Sequence, residues 1–250
     1  MARLSPGVKE ELISRIAEGW SINKISKSLE LGKSTIYYYY KKIKGKKYQE
    51  PVFECIASKE EGEIVGIFTG DGSQYFRPKT YHYEVNVHFG GHNREYANYV
   101  KKLFERHFHA TFHLGKELSG VFRLRVRSKR IFHYFWNYLE YRAQCKHATV
   151  FLKNLNLPDD FKKGFLRGVF DTDGCLSQGR SGKLQAYYGT TSPKLALQIQ
   201  YLLFEQGICS GIRVEFRKHY KPFYRVSVLR RSVSSFLKTI APFKGRNHRI

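Results

Sequence analysis

Two stretches of the chain, GEIVGIFTGDGS at 62–73 and GFLRGVFDTDGC at 164–175, align residue by residue. The same alignment brings FRLRV at 122–126 onto YRVSV at 224–228. Because both pairs of stretches are separated by the same number of residues, most of the chain is predicted to consist of two copies of one structural unit.

Hydrophobic periodicity predicts the same order of elements in both copies. In the first copy we expect a helix ending at Asp71, strands near 74–77 and 81–89, a helix near 93–107, strands near 110–114 and 121–127, and a helix from about 129. In the second copy we expect helices at 161–171, 193–206 and 232–240. We expect strands there at 175–179, 183–190, 211–218 and 223–229. The repeat therefore predicts an α+β fold with two pseudo-twofold αββαββα halves, 48–155 and 156–250.

The first helix of each copy carries small residues at i, i+4 and i+8. These are Gly62, Gly66 and Gly70 in the first copy and Gly164, Gly168 and Thr172 in the second. Glycine inside a helix costs about 1 kcal/mol relative to alanine, so a row of glycines needs a compensating gain. Close packing of the two helices, backbone against backbone, would supply that gain.

Both helices end in Asp-Gly, at Asp71-Gly72 and Asp173-Gly174. We expect each glycine to adopt the left-handed conformation that often ends a helix. A carboxylate at the negative end of a helix is unfavourable by roughly 0.3–1 kcal/mol, and helix packing would bring the two carboxylates together. A divalent cation would relieve both penalties, and oxygen ligands favour Mg²⁺. One Asp-Gly pair is a common turn, but two at equivalent helix ends predict a metal site.

The motifs IVGIFTGDG (64–72) and LRGVFDTDG (166–174) resemble the paired signature helices of the LAGLIDADG homing endonucleases in their single-chain form. The resemblance implies two halves whose sheets form a saddle in the major groove of DNA. It also implies a monomeric, site-specific endonuclease that cleaves both strands of a long double-stranded target with Mg²⁺ or Mn²⁺, in intron or intein homing. The catalytic, metal-binding acids would be Asp71 and Asp173.

The same resemblance suggests further ligands and one departure. The main-chain carbonyls of Gly70 and Thr172 would be additional metal ligands. Thr69 stands where the second motif has Asp171, at a position that resembles a structural one, so we do not expect the difference to abolish activity.

A basic side chain near each scissile phosphate would stabilise charge on the phosphorus oxygens, and the family resembled uses a lysine in the strand region of each half. Lys116 and Lys218 coincide when the two copies are aligned. We assign them this catalytic role, with Lys221 as the rival in the second half. The alternative is that they are ordinary loop lysines that contact phosphate.

Strand alternation predicts a polar face for reading DNA. In FRLRVR the arginines point away from the apolar residues, and arginine suits guanine edges and phosphates. The candidate DNA contacts on the strands are Arg123, Arg125 and Arg127 in the first copy and Lys183, Gln185, Arg213, Arg217 and Arg225 in the second. A merely solvated strand face remains the alternative for each.

Residues 1–47 predict three short helices, the second being Ile22–Leu29 with Ser21 as its N-cap. This is a helix-turn-helix arrangement, and the first turn of the third helix holds the candidate DNA contacts Lys33, Ser34 and Thr35. The stretch GWSINKISKSLELGKSTIYYYYKKI resembles the helix-turn-helix of resolvase- and transposase-like proteins. A small bundle or protein-docking module remains the alternative.

The overall charge agrees with a nucleic-acid partner. Lys and Arg number 44 against 21 Asp and Glu, a formal net charge of +23, which favours a polyanion as partner. No apolar stretch approaches the roughly 18 residues that span a bilayer, and no secretory signal is evident. We expect no membrane association and an intracellular location, in a prokaryotic cytoplasm or an organelle.

Two other functions compete with the endonuclease. A non-cleaving regulator or an RNA maturase of related fold would have lost or idle acids, whereas both Asp71 and Asp173 are present. A transposase or recombinase would require a different set of acids.

Overall fold

The computed structural model describes residues 4–45, 49–179, 182–216 and 218–245. The chain separates into two compact units, Met1–Glu50 and Pro51–Ile250. None of the helices in these described ranges is long and apolar enough to cross a bilayer.

The first unit consists of α1 (Pro6–Ala17), α2 (Ile22–Leu29) and α3 (Lys33–Lys44). The hydroxyl of Ser21 accepts a hydrogen bond from the main-chain N–H of Lys24 at 3.2 Å, so Ser21 caps α2 as predicted. The small core between the three helices consists of Leu12, Ile16, Ile25 and Ile36, all fully buried.

The second unit follows the predicted repeat. Its first half contains α4 (Lys59–Asp71), β1 (Gly72–Arg77), β2 (His82–Phe89), α5 (Arg94–Phe108), β3 (His113–Lys116), β4 (Phe122–Arg127) and α6 (Lys129–Tyr138). A connecting segment contains β5 (Leu139–Glu140), α7 (Lys146–Thr149) and β6 (Phe151–Leu152). The second half contains α8 (Asp159–Asp173), β7 (Gly174–Gln178), β8 (Leu184–Thr190), α9 (Pro193–Glu205), β9 (Ser210–Glu215), β10 (Phe223–Val228) and α10 (Val233–Ile240). The αββαββα order is confirmed in both halves, but the connecting segment was not predicted.

The two antiparallel sheets have the same topology. Their strand orders are β1-β2-β4-β3 and β7-β8-β10-β9. Each sheet buries one side: Val87 pairs with Leu124 in the first, and both side chains are buried against helices. The next pair, Asn86 and Arg125, points to the opposite side, which we call the open face.

The glycine rows allow α4 and α8 to pack backbone to backbone, as predicted. A Cβ atom on Gly66 would overlap the carbonyl oxygen of Phe165. On Gly168 it would lie 2.6 Å from the main-chain nitrogen of Ile67 and overlap the carbonyl oxygen of Glu63. The helices therefore approach closely because these positions lack side chains, and their ends meet where a Cβ atom on Gly70 would overlap the side chain of Thr172.

The conformation predicted for the glycines after the two aspartates is wrong. Gly72 has φ −79° and Gly174 has φ −85°, both extended rather than left-handed. A Cβ at Gly72 would lie 2.5 Å from the carbonyl oxygen of Phe68, and one at Gly174 would lie 2.5 Å from the Phe170 ring. Glycine is needed there because the chain turns directly from helix into strand across an aromatic ring.

Candidate active site

Asp71 and Asp173 end the two packed helices, and their carboxylates converge. A Cβ atom on Gly70 would lie 3.0 Å from Oδ2 of Asp173, which places that carboxylate against the end of α4. Burial and then the charge of Asp173 raise the pKa of Asp71 to about 7. Asp173 retains exposed surface, while the burial of its carboxyl group by the surrounding protein raises its pKa too. The site therefore concentrates negative charge where solvent screens it poorly.

Lys146 lies at the end of α4. Its Nζ donates hydrogen bonds to the main-chain oxygens of Phe68 (2.8 Å), Thr69 (2.6 Å) and Gly70 (3.1 Å). The Phe68 oxygen also accepts a hydrogen bond from the main-chain N–H of Gly72, whereas Thr69 and Gly70 lie in the last turn, where a cation is favoured. Burial lowers the pKa of Lys146 to about 8, although the neighbouring aspartates favour its charged form. Lys146 thus caps α4 and brings a positive charge to the carboxylates.

Lys244 makes the equivalent contact at the end of α8. Its Nζ donates to the main-chain oxygens of Phe170 (3.3 Å), Thr172 (3.1 Å) and Gly174 (2.6 Å). Burial lowers its pKa, against the charges of Asp171, Asp71 and Asp173. The site therefore has two pseudo-equivalent lysines.

The cations that act on the Asp71 carboxylate are Lys146 and Lys244, and neither Lys116 nor Lys218, the lysines chosen from the sequence, is among them. Lys116 ends β3, the outermost strand, about 14 Å from β1 at three strand spacings. It pairs with Phe122 and so points to the helix-packed side of the sheet. Lys218 is exposed in the turn that joins β9 and β10. The alignment of the two copies selects lysines in the strand regions, whereas Lys146 and Lys244 follow the last helix of each half.

Lys221, the alternative to Lys218 in the second half, lies beside the residue that follows Lys146. Nζ of Lys221 is 3.3 Å from Nε2 of His147, the residue that follows Lys146. A search for basic residues after the final helix of each copy would have found both capping lysines, although nothing in their spacing selects them.

The oxygen atoms at the site fit a divalent cation such as Mg²⁺. Asp71 and Asp173 supply two carboxylates whose raised pKa values a cation would lower. The carbonyls of Gly70 and Thr172 already accept from the two lysines, which leaves one lone pair on each. Within the described ranges no three His, Cys, Asp or Glu residues cluster as metal ligands. Substrate oxygens and water would therefore complete an octahedral shell.

The open face of the first sheet carries the three predicted arginines of β4. Arg123 forms an ion pair with Glu117 at 3.1 Å, and Arg127 forms one with Glu84 at 3.4 Å. Arg125, between them, lies opposite Asn86. The three arginines thus form a row along β4 on the open face.

The open face of the second sheet is less basic. Arg225 is 3.2 Å from Glu215 and lies over the ring of Tyr187 at 4.3 Å, and Arg213 is its cross-strand partner. Gln185 is exposed on β8, Lys183 is exposed just before it, and Arg217 lies outside the described residues.

The exposed face of α3 extends beyond the predicted first turn. Lys33 and Ser34 are exposed, and Thr35 is half-buried. Tyr37 and Tyr38 follow at helical spacing with 39% and 38% of their surface exposed. Neither tyrosine was predicted as a DNA contact, although their i+3 and i+4 spacing from Ser34 places them on the same helix face.

Residues 160–241 match the family model described as a LAGLIDADG-like domain. The chain carries a LAGLIDADG-like domain. Two solved structures share its fold at low identity. The homing endonuclease I-DmoI, in complex with DNA and Ca, is 17% identical with a TM-score of 0.55, over 74% of this chain and 90% of that one. The N-terminal LAGLIDADG domain of DUF199/WhiA is 12% identical with a TM-score of 0.50, over 76% and 85%.

Curated relatives are also distant. An uncharacterised protein of Methanocaldococcus jannaschii, MJ0398, is 24% identical over 93% of this chain and 88% of its own length. A second uncharacterised protein of that organism, MJ1054, and a DNA polymerase of Thermococcus hydrothermalis are each 24% identical over 62% and 61% of this chain. The matched parts are 18% and 9% of those two proteins, so the chain spans less than a fifth of either.

Proposed function

We propose that the protein is a site-specific DNA endonuclease that hydrolyses both strands of a duplex with a divalent metal held by Asp71 and Asp173. The observation that carries the proposal is the convergence of these two carboxylates between two sheets of identical topology. Each half offers one acid and one lysine, as expected for two cuts on antiparallel strands. Mg²⁺ or Mn²⁺ would serve as the cofactor.

The chain's own residues divide the chemistry between them. A bound divalent cation would polarise the phosphoryl oxygen and lower the pKa of water. Asp71 and Asp173 would hold it through oxygen. The ammonium groups of Lys146 and Lys244, already fixed on helix-end carbonyls, would stabilise negative charge on the scissile phosphates. Lys218, exposed in the turn between β9 and β10, would contact phosphate of the bound DNA, whereas Lys116 points away from the open face.

The open faces of the two sheets would bind the duplex. Arginine rows suit guanine edges and phosphates, and the net charge of +23 supports binding to a polyanion. The exposed face of α3 would bind a further stretch of the same DNA, so the first unit would lengthen the recognition site as a helix-turn-helix. Because both acids lie in one chain, we expect a monomer to be sufficient. The setting would be intron or intein homing inside the cell.

One observation favours a non-cleaving DNA-binding regulator as the second candidate. Lys146 and Lys244 bring positive charge to the carboxylates, so the site is partly balanced before any metal binds. Such a regulator would bind a long duplex with the same surfaces.

The experiment separates the two candidates. The substrates are a duplex that joins the sequences flanking the gene and duplexes selected by binding from a randomised library. Each is incubated with Mg²⁺, Mn²⁺, Ca²⁺ or EDTA, using wild type and the Asp71→Asn/Asp173→Asn double variant. Double-strand cuts with Mg²⁺ or Mn²⁺ that disappear in the double variant support the endonuclease. Tight binding of the duplex without cleavage under every metal would contradict the endonuclease and support the non-cleaving regulator.

A further inference from the structure

The two halves differ in the residue that lies two positions before each aspartate, which is Thr69 in the first half and Asp171 in the second. Asp171, only 4% exposed, accepts hydrogen bonds from the main-chain N–H groups of Phe243 (2.8 Å) and Lys244 (3.0 Å). The equivalent residue of the first half is Thr69, whose hydroxyl donates to the carbonyl oxygen of Val65 in its own helix at 2.8 Å. The carboxylate therefore ties α8 to the segment after α10, whereas the threonine hydroxyl turns back on α4.

These bonds fix the main chain that carries Lys244. The Asp171 carboxylate accepts a hydrogen bond from the main-chain N–H of Lys244. The ammonium group of Lys244 donates to the carbonyls of Thr172 and Gly174. Lys244 is thus attached to the end of α8 at both its main chain and its side chain. Because two main-chain N–H groups share one buried acceptor and would be costly to leave unpaired, this attachment restricts where the ammonium group can lie.

Lys146 is supported differently. It begins the short helix α7, where the hydroxyl of Thr149 donates to the carbonyl oxygen of Cys145 at 2.9 Å and accepts from the N–H of Arg142 at 3.0 Å. Its main chain depends on the connecting segment rather than on a carboxylate of the signature helix.

A neighbouring ion pair orients Asp171 itself. Nε of Arg167 lies 3.8 Å from Oδ2 of Asp171 and 3.2 Å from Oε1 of Glu63 on α4. The hydroxyl of Tyr99 donates to the same Glu63 oxygen at 2.8 Å and accepts from Arg167 at 3.1 Å. The first half therefore helps to orient the carboxylate that holds the lysine of the second half.

We propose that Asp171 is a positioning residue that holds Lys244 at the Asp173 end of the site, so that the two strands of a target depend on it unequally. This inference rests on the proposed endonuclease function. Cleavage of the strand served by Lys244 requires Asp171, and cleavage of the strand served by Lys146 does not.

The first test follows the two strands separately. A library-selected duplex carries a different label on each 5′ end, and single-turnover rates are measured for wild type, Asp171→Asn and Asp171→Thr, the residue of the first half. We expect one strand to be cut about tenfold more slowly or worse, with nicked duplex accumulating. Lys244→Met should slow the same strand and Lys146→Met the other. Asp160→Asn, which alters an exposed carboxylate in the first turn of α8, should behave as wild type.

Equal slowing of both strands, or none, would overturn the proposal. Equal slowing would mean that Asp171 only stabilises the helix pair that both sites share. A wild-type protein that cuts neither strand would refute the proposed endonuclease function. A second measurement tests the role of Asp171 separately from that function.

The second test needs no cleavage. Wild type and Asp171→Asn are treated briefly with acetic anhydride without DNA, and the acetylation of each lysine is measured by mass spectrometry. Lys244 should react several-fold faster in the variant, while Lys146 remains as protected as in wild type. An unchanged Lys244, or equal deprotection of both lysines in a protein that still unfolds cooperatively, would show that Asp171 does not hold Lys244.

Discussion

Lys146 and Lys244 make the same contact in opposite halves of the second unit. The ammonium group of each donates to the last carbonyls of its own signature helix, reaching the oxygens of Gly70 and Thr172 at 3.1 Å. Each lysine therefore places a positive charge at a negative helix end that also carries an aspartate. This pairing allows two acids to lie close together in a partly buried site.

Removing the charge of Lys146 should shift the pH dependence of cleavage. Lys146 lowers the pKa of Asp71, which burial and Asp173 raise to about 7. In Lys146→Met the pKa of the metal-free carboxyl should rise further, so protons compete more strongly with the divalent metal for Asp71 and the acidic limb of the pH–rate profile moves to higher pH. Single-turnover rates between about pH 5.5 and 8.5 measure the shift. Lys116→Met is the matched control and should leave the limb in place. An equal shift in both variants would argue against the placement of the lysines.

Asp71→Asn should stabilise the metal-free protein at alkaline pH. The folded pKa of about 7 exceeds the unfolded value of about 3.9, so the folded state binds the proton more tightly. Unfolding free energy therefore falls as the pH rises from about 4 to about 7. The variant does not lose this stability, so its melting temperature at pH 8 should exceed that of wild type. The expected difference is roughly 2–4 °C for each kcal/mol of unfolding free energy. Melting curves in EDTA at pH 5 and pH 8 test this, and a lower melting temperature at pH 8 would contradict it.

Gly168→Ala should disrupt the packing of α4 against α8. The added methyl group would meet the main-chain nitrogen of Ile67 at 2.6 Å, and main chain cannot move aside as a side-chain end can. We expect a loss of about 3 kcal/mol or more in urea denaturation, or no folded protein. Gly211→Ala is the control, because a methyl group there meets nothing within 4 Å. Similar stability of both variants would refute backbone-to-backbone packing.

The exposed face of α3 predicts two kinds of DNA contact. Lys41 is exposed one turn after Tyr37 on α3. Lys41→Ala should weaken binding and reduce the salt dependence of affinity by about one unit of slope, as expected for a lost phosphate contact. Tyr37→Ala should weaken binding with little change in slope, because tyrosine carries no charge. Binding of a library-selected duplex to the full chain, titrated over salt, distinguishes them. Unchanged affinity in both variants would favour the docking-module alternative for the first unit.

The regular elements of the fold were predictable because their periodicity is local. The alternation of apolar residues and arginines in FRLRVR predicts which side of β4 is polar, and the glycine rows predict the close packing of the two helices. The conformation of Gly72 was not predictable in the same way. Its need for glycine arises from the Phe68 ring beside it rather than from a helix-ending turn.

The site was predicted in part. Asp71 and Asp173 follow from the repeat, but Lys146, at the start of the short helix α7, and Lys244, after α10, do not coincide when the two copies are aligned. The role of Asp171 depends on hydrogen bonds to residues more than 70 positions later in the chain. No local pattern encodes a contact of that kind, so only the folded chain reveals which lysines meet the acids.

Anomalous scattering from Mn²⁺ in crystals of the protein bound to a duplex would test the central claim most directly. We predict metal peaks within about 2.5 Å of the carboxylate oxygens of Asp71 and Asp173, each also near a phosphate oxygen. The same crystals of the Asp71→Asn/Asp173→Asn variant should lack those peaks. An ordered duplex on the open faces of both sheets with no metal at the two aspartates would contradict the account.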